Sequence, residues 1–283
     1  MQKIWFIMFA LLISACTENF LFNDDEVESG VNNDLSGRII LSDESSRDSV
    51  AVWLEGFNKL TWTNDKGNFA LKIPDPTNQP GNGLNGIYNL YFFLANFELS
   101  SVSVLIRDGE LQRGFGEVNQ SGELITPQYL QKMITIKTTV TPNTIENTYK
   151  DPIYFTVTLQ NVVDSVKVST YKRPDTGGTS CIVIKKRGEP LSQAILLRGT
   201  NTLIRDELIT EETEWRMAYQ FTSGFFEKGE YEILPYIIVE HKNTIPQELI
   251  STLGDDVYNF TSEYLKIPFK QESALLSVNV LEN

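Results

Sequence analysis

Few residues of this chain could do chemistry. It holds one histidine, His241, and two cysteines, Cys16 and Cys181. A histidine-rich metal centre and a four-cysteine zinc site are therefore arithmetically excluded, and a nucleophilic triad would have His241 as its sole base. Cys181 lies in the strand-like run Ser180-Cys181-Ile182-Val183-Ile184, where a thiol reads as a small buried hydrophobe. His241 follows the apolar run 231–239 and reads as an exposed loop residue. The densest carboxylates are Asp24-Asp25-Glu26, Glu211-Glu212 and Asp255-Asp256. None has the alternating Asp-x-Asp-x-Asp-Gly order that wraps oxygens around calcium, so they read as solvated charge. A Gly-x-Ser-x-Gly elbow, a His-Glu-x-x-His pair and a glycine-rich phosphate loop after a strand are all missing from the sequence. No metal and no cofactor is expected. A glycosidase-type carboxylate pair cannot be picked by spacing, because the fold sets that distance.

The aromatic residues offer a second kind of chemistry. Alternation sets Trp53 on the face opposite Val50, Val52 and Leu54. With Trp62 or Tyr91 beside it, Trp53 would form an apolar platform that stacks on a sugar or docks a protein. The plainer reading packs Trp53 under a loop or a second domain. Trp215, Met217, Tyr219 and Phe221 share one parity and read as core.

These residues sit in a chain of 283, with 24 basic against 37 acidic side chains and a net charge of -13. Nucleic acid is excluded as a partner, since phosphate binding needs a basic face. The length suggests about two domains at roughly 150 residues each. Lys3 precedes an unbroken apolar run, residues 4–13, and then Ser14, Ala15 and Cys16. Ten helical residues rise only about 15 Å, half of a ~30 Å hydrocarbon core, so the run suits a signal peptide rather than a spanning anchor. Ile13-Ser14-Ala15-Cys16 resembles the lipobox of bacterial lipoproteins. That resemblance implies removal of 1–15 and lipidation of Cys16. Acyl chains worth ~0.8 kcal/mol per buried CH₂ would then hold the protein in a membrane. Thr17 stands where an aspartate would often mean inner-membrane retention in some bacteria, so the expected place is the outer membrane. Residues 16–35 are polar and acidic and read as a flexible tether. They loosely resemble the acidic export signal of surface lipoproteins in some Gram-negative groups. With Cys16 lipidated, Cys181 has no disulfide partner.

Beyond the tether, short runs rich in Val, Ile, Thr and aromatics alternate with Gly, Pro, Asn and Asp, the cadence of β-sandwiches. Gly37-Arg38-Ile39 leads to Ser49-Val50-Ala51-Val52-Trp53-Leu54, and Asn64-Asp65-Lys66-Gly67 predicts a tight hairpin into Asn68-Phe69-Ala70-Leu71. With Gly86-Ile87-Tyr88-Asn89-Leu90-Tyr91 and Ser101-Val102-Ser103-Val104-Leu105-Ile106, this order resembles the carboxypeptidase regulatory-like domain, a transthyretin-type sandwich. The resemblance implies a non-catalytic accessory module over 36–113. The Pro/Gly/Asn loop 74–86 is longer than the pattern needs, and such loops can carry binding.

Residues 114–132 read as a connector. A second sandwich is expected over 133–283, whose opening strands, ending in Leu159-Gln160-Asn161, resemble immunoglobulin-like domains. Thr244, Pro246 and Gly254 bracket one short helix, with Thr244 as its cap. The expected fold class is all-β, two sandwiches in tandem. The expected function is a lipid-anchored envelope protein that binds protein or glycan, or gives structural support, without catalysis. The alternative is an envelope hydrolase with a carboxylate site in the second domain.

Overall fold

The structure is a computed structural model, and residues 34–174 and 178–280 are described. Cys16, the expected signal peptide over 1–15 and nearly all of the expected tether over 16–35 lie outside the described residues. The rest is all-β, with two sandwiches and one short helix in the second.

The first sandwich contains β1 (Asp34–Leu41), β2 (Ala51–Leu54), β3 (Lys59–Trp62) and β4 (Asn68–Lys72). It continues with β5 (Gly86–Phe93), β6 (Ser100–Arg107), β7 (Glu110–Leu111) and β8 (Gln128–Leu130). One sheet runs β3-β2-β5-β6-β7 and the other β4-β1-β8. Alternation fills the space between them. Val52 and Leu54, Leu90 and Phe92, and Val102 and Val104 point from the first sheet toward Leu35, Ile39, Phe69 and Leu71 of the second.

Two expectations need correction here. The turn at Asn64–Gly67 forms, with the Asn64 side chain accepting from the Lys66 and Asn68 amides. Yet β4 pairs with β1 and not with β3, so the turn carries the chain from one sheet to the other. Thr63 stays in register beside β2 through Thr63 N–H to Val50 O, 3.1 Å. Gly67, at φ 82°, accepts at its carbonyl from Ile39 N–H, and a Cβ there would collide with the Ile39 carbonyl. Residues 114–132 are also more than a connector. Within them β8 pairs in parallel with Ile39–Leu41 of β1, and Leu124 N–H bonds Ser36 O at 2.9 Å.

The second sandwich opens with β9 (Ile134–Thr141), β10 (Thr144–Glu146), β11 (Ile153–Asn161), β12 (Val166–Lys172) and β13 (Cys181–Lys186). Then come β14 (Ile195–Arg198), β15 (Leu203–Ile209), β16 (Thr213–Tyr219), β17 (Gly229–Pro235) and β18 (Ile238–Val239). Helix α1 (Gln247–Leu253) and β19 (Ala274–Asn279) complete it. The strand orders are β10-β19-β17-β13-β14, β16-β11-β9 and β15-β12-β18. Trp215 and Met217 are buried in its core, with Tyr219 and Phe221 packed against it. The helix starts after Pro246 without a side-chain cap, so Thr244 does not cap it.

Two strands are buried on both faces, β2 in the first sandwich and the Cys181–Ile184 part of β13 in the second. Their inner residues belong to their own cores. Their outer residues, Ala51 and Trp53 on one side and Cys181 and Val183 on the other, share a third core with Phe93, Tyr236 and Tyr264. Helix α1 closes it through Leu249, Ile250 and Leu253. The segment 94–99 stitches the seam. Ala95 N–H bonds Pro268 O at 2.8 Å, and the fully buried Asn96 side chain bonds Ile134 O, Lys270 O and Lys270 N–H. Lys270 Nζ reaches Asp48 Oδ1 at 2.6 Å, also across the seam.

Candidate functional site

The aromatic candidates separate in the fold. Trp53 does point away from its own core, as alternation requires, but that face is covered and Trp53 is only 2% exposed. Its indole N–H donates to Asn58 Oδ1 at 3.2 Å, and Thr252 of α1 donates to the same oxygen at 2.7 Å. Tyr91 is half-buried and tilts against Trp53, with ring centroids 5.8 Å apart. Trp62 stands opposite Ala51 on edge strand β3 and is 43% exposed. Trp53 and Tyr91 therefore meet, but α1 and the second sandwich lie over Trp53. No open platform includes that ring.

The same sheet face stays open further along. Beyond Tyr91 it presents Ser101, then Asn89 and Ser103, then Ile87 and Leu105. Asn89 is held by two bonds to Glu55 Oε2, at 3.1 and 2.9 Å, and accepts from the Ser103 hydroxyl. Around the edge of β6 this face runs into a groove of about 620 Å³. Ser101, Ser103, Leu105, Phe115, Thr126 and Gln128 line it, and Glu117 is its one charged lining residue. Leu105 O accepts from Gln112 N–H at 2.9 Å, on the side away from β5. In an antiparallel ladder, Ser101 and Ser103 share that parity, so their backbone groups also turn toward the groove. Ile87 and Phe115 are both well exposed. Sequence reasoning placed Ile87, Ser101 and Ser103 on strands but assigned them no role. The available signal was the polar alternation Ser101-x-Ser103 on a strand beside Tyr91. Phe115 came from a segment read as connector.

The long loop 74–86 is not loose. It forms two short 3₁₀ turns, and Gln79 is buried beneath them. The Gln79 amide donates to Gly109 O at 2.8 Å and accepts from Leu84 N–H at 3.0 Å.

The titratable candidates follow packing. His241 is not an exposed loop residue. Its Nε2 lies 3.1 Å from Ala95 O, its ring is 5.6 Å from that of Phe93, and Nδ1 is buried without a partner. Burial pushes its pKa down to about 4, so it is neutral at ordinary pH. Cys181 is buried in the third core, 3.1 Å from Thr170 Oγ1, and burial raises its thiol pKa. Hydrogen bonds from Lys270 and Ser46 hold the Asp48 carboxyl below its ordinary range. Asp43 loses some ionisation to burial, but Lys132 and Ser45 more than offset this and its pKa is also lowered. Of the carboxylate clusters, Asp24-Asp25-Glu26 lies outside the described residues. Glu211-Glu212 and Asp255-Asp256 are exposed at turns. Among the described residues no group of three or more His, Cys, Asp or Glu is placed to hold a metal ion, and no helix is long and apolar enough to cross a membrane.

No protein-family model and no curated protein matches the chain. Among solved structures it is similar to BcpA, the major pilin subunit of Bacillus cereus, with a TM-score of 0.28 and 9% identity over 75% of this chain and 65% of that one. It is also similar to the Bacillus anthracis TIE protein, with a TM-score of 0.22 and 9% identity over 89% of this chain and 51% of that one. The chain thus spans less than two-thirds of either, and superpositions this loose carry no argument about what it does.

Proposed function

We propose that this chain is a lipid-anchored protein of the bacterial outer membrane, held through Cys16, that binds an envelope protein or glycan without catalysing a reaction. In this reading the first sandwich is a carboxypeptidase regulatory-like module and the second is immunoglobulin-like. The observation that carries the binding role is the chemistry of the groove beside β6. In a molecule of net charge -13, this concave surface is lined by hydroxyls, an amide and the Phe115 ring, with Glu117 alone bearing charge. Such a lining suits a neutral polymer, a sugar chain stacked on an aromatic ring or an extended peptide bonded along a strand edge. The third core supports it by joining the sandwiches, so the groove sits on a stiff body and little ordering cost falls on binding.

Two measurements test the reading. Cys16→Ser in the full chain should move the protein from the membrane to the soluble fraction, and retention in the membrane would refute the lipid anchor. A photo-crosslinking residue at Ser103, in the native cell, should capture an envelope component that the same probe at exposed Tyr154 does not. Equal capture at both positions, or none at Ser103, would remove the groove as the binding surface. Protease treatment of intact against lysed cells then assigns the membrane face.

A further inference from the structure

Among the described residues, strand β15 forms a free margin of the sheet β15-β12-β18, and its residues Leu203–Leu208 are mostly exposed on both faces. Leu203, Ile204 and Leu208 are 55%, 50% and 60% exposed. Apolar residues on an unpaired margin invite another strand, and proteins usually block such margins with lysine, proline or a bulge. Here the central residues are Arg205, Asp206 and Glu207, whose order has a particular symmetry.

The direction of the backbone groups follows from β12. Lys167 O accepts from Glu240 N–H at 2.9 Å, on the β18 side. The alternate residues Val168 and Thr170 therefore face β15, where they stand opposite Glu207 and Arg205. Ile204, Asp206 and Leu208 must then turn their N–H and C=O groups to the free margin. We propose that β15 pairs antiparallel with β15 of a second copy of this chain, about a two-fold axis through Asp206.

In that register each outward group finds a mate. Ile204 lies opposite the partner's Leu208 and Asp206 opposite the partner's Asp206, so three outward residues from each copy complete the ladder. Arg205 falls opposite the partner's Glu207, twice, in the closer type of antiparallel pair. Glu207 is pre-positioned for this. Lys172 and the Trp215 indole both bond its Oε2, which fixes the carboxylate in place. The like charges of Asp206 on the axis are each accompanied by Lys167, 3.5 Å away, and by the Ser169 hydroxyl at 2.7 Å. Moving the axis by one residue sets Arg205 against the partner's Arg205, or Glu207 against the partner's Glu207. The charge pattern thus favours one register, and a closed two-fold contact limits assembly to a dimer at this margin.

The test adds one cysteine at a time to the full-length chain, with the wild type, which contains Cys16 and Cys181, as background. Hydrogen-bonded antiparallel residues sit about 5.5 Å apart at Cα, within disulfide range. On mild oxidation Asp206→Cys should give a covalent dimer. Ile204→Cys and Leu208→Cys should each stay monomeric alone and crosslink when mixed. In sedimentation of the protein without added cysteines, Arg205→Glu should raise the dimer dissociation constant about tenfold, because both cross-strand ion pairs become like-charged. Equal crosslinking at all three positions would show mere exposure and overturn the register. A monomeric Asp206→Cys chain with the circular dichroism of the wild type would overturn the pairing altogether.

Discussion

One sheet of the first sandwich has two fates on a single face. Its Ala51-Trp53-Phe93 half is sealed by the second sandwich, whereas its Ile87-Ser103-Leu105 half opens to the groove. Both halves obey the same strand alternation. What differs is whether another element with unsatisfied apolar surface lies above, and α1 and β13 supply that surface over one half only. A strand buried on both faces thus marks where two units join, and its neighbour, open on one face, marks where something else can bind.

Substitutions at the two halves should separate in magnitude. Trp53→Ala opens a cavity in the third core and should cost about 3–5 kcal/mol in denaturant melts, with a transition broadened if the sandwiches uncouple. A loss below about 1 kcal/mol would mean the seam is not a true core.

His241 should make that seam sensitive to acid. Its folded-state pKa of about 4 lies below the ordinary 6.5, so between these values the unfolded chain binds more protons than the folded one. Stability should therefore fall as pH drops from 6.5 to 4, by about 3 kcal/mol in all. His241→Gln keeps a donor toward Ala95 O and removes the titration, so its melts should show a flatter slope across that window. An unchanged slope would place the acid sensitivity of that window in a group other than His241.

Asn96→Ala should cost about 1–3 kcal/mol, since it strands the Lys270 amide and two carbonyls in a buried site. At the open half, Ile87→Ser should leave stability within about 0.5 kcal/mol of wild type while lowering crosslinked capture at Ser103. If Ile87→Ser destabilised as much as Asn96→Ala, the open half would be a covered surface after all.

Much of this architecture was legible in the residues. The alternations Val50-Val52-Leu54 and Phe69-Leu71 select core faces because a strand has period two, and Trp53 follows on the other face. Trp53 is packed under α1 and the second sandwich, as the plainer reading had it; which residues cover it was not legible, because period two says which way a side chain points and not what lies above. The pairing of β4 with β1 was missed for a similar reason. A turn sequence such as Asn64–Gly67 closes a local reversal but does not decide whether the next strand stays in the same sheet. Strand β15 escaped notice because Arg205-Asp206-Glu207 interrupts its apolar pattern. His241 was read as exposed from its place just after the apolar run 231–239, although the chain returns it to Phe93 and Ala95 from far along the sequence. The groove drew residues from β6, β8 and the segment between, and only the parallel pairing of β8 with β1 brings them to one place.

The buried thiol of Cys181 has a use the protein itself need not share. It sits in the seam, with no exposed surface, beneath residues contributed by both sandwiches. An alkylating reagent can reach that sulfur only when the packing over it opens. Its labelling rate, followed against denaturant, reports the free energy of that local opening separately from global unfolding. With Cys16 blocked, one sulfur becomes a clock for how often the two halves of the molecule part.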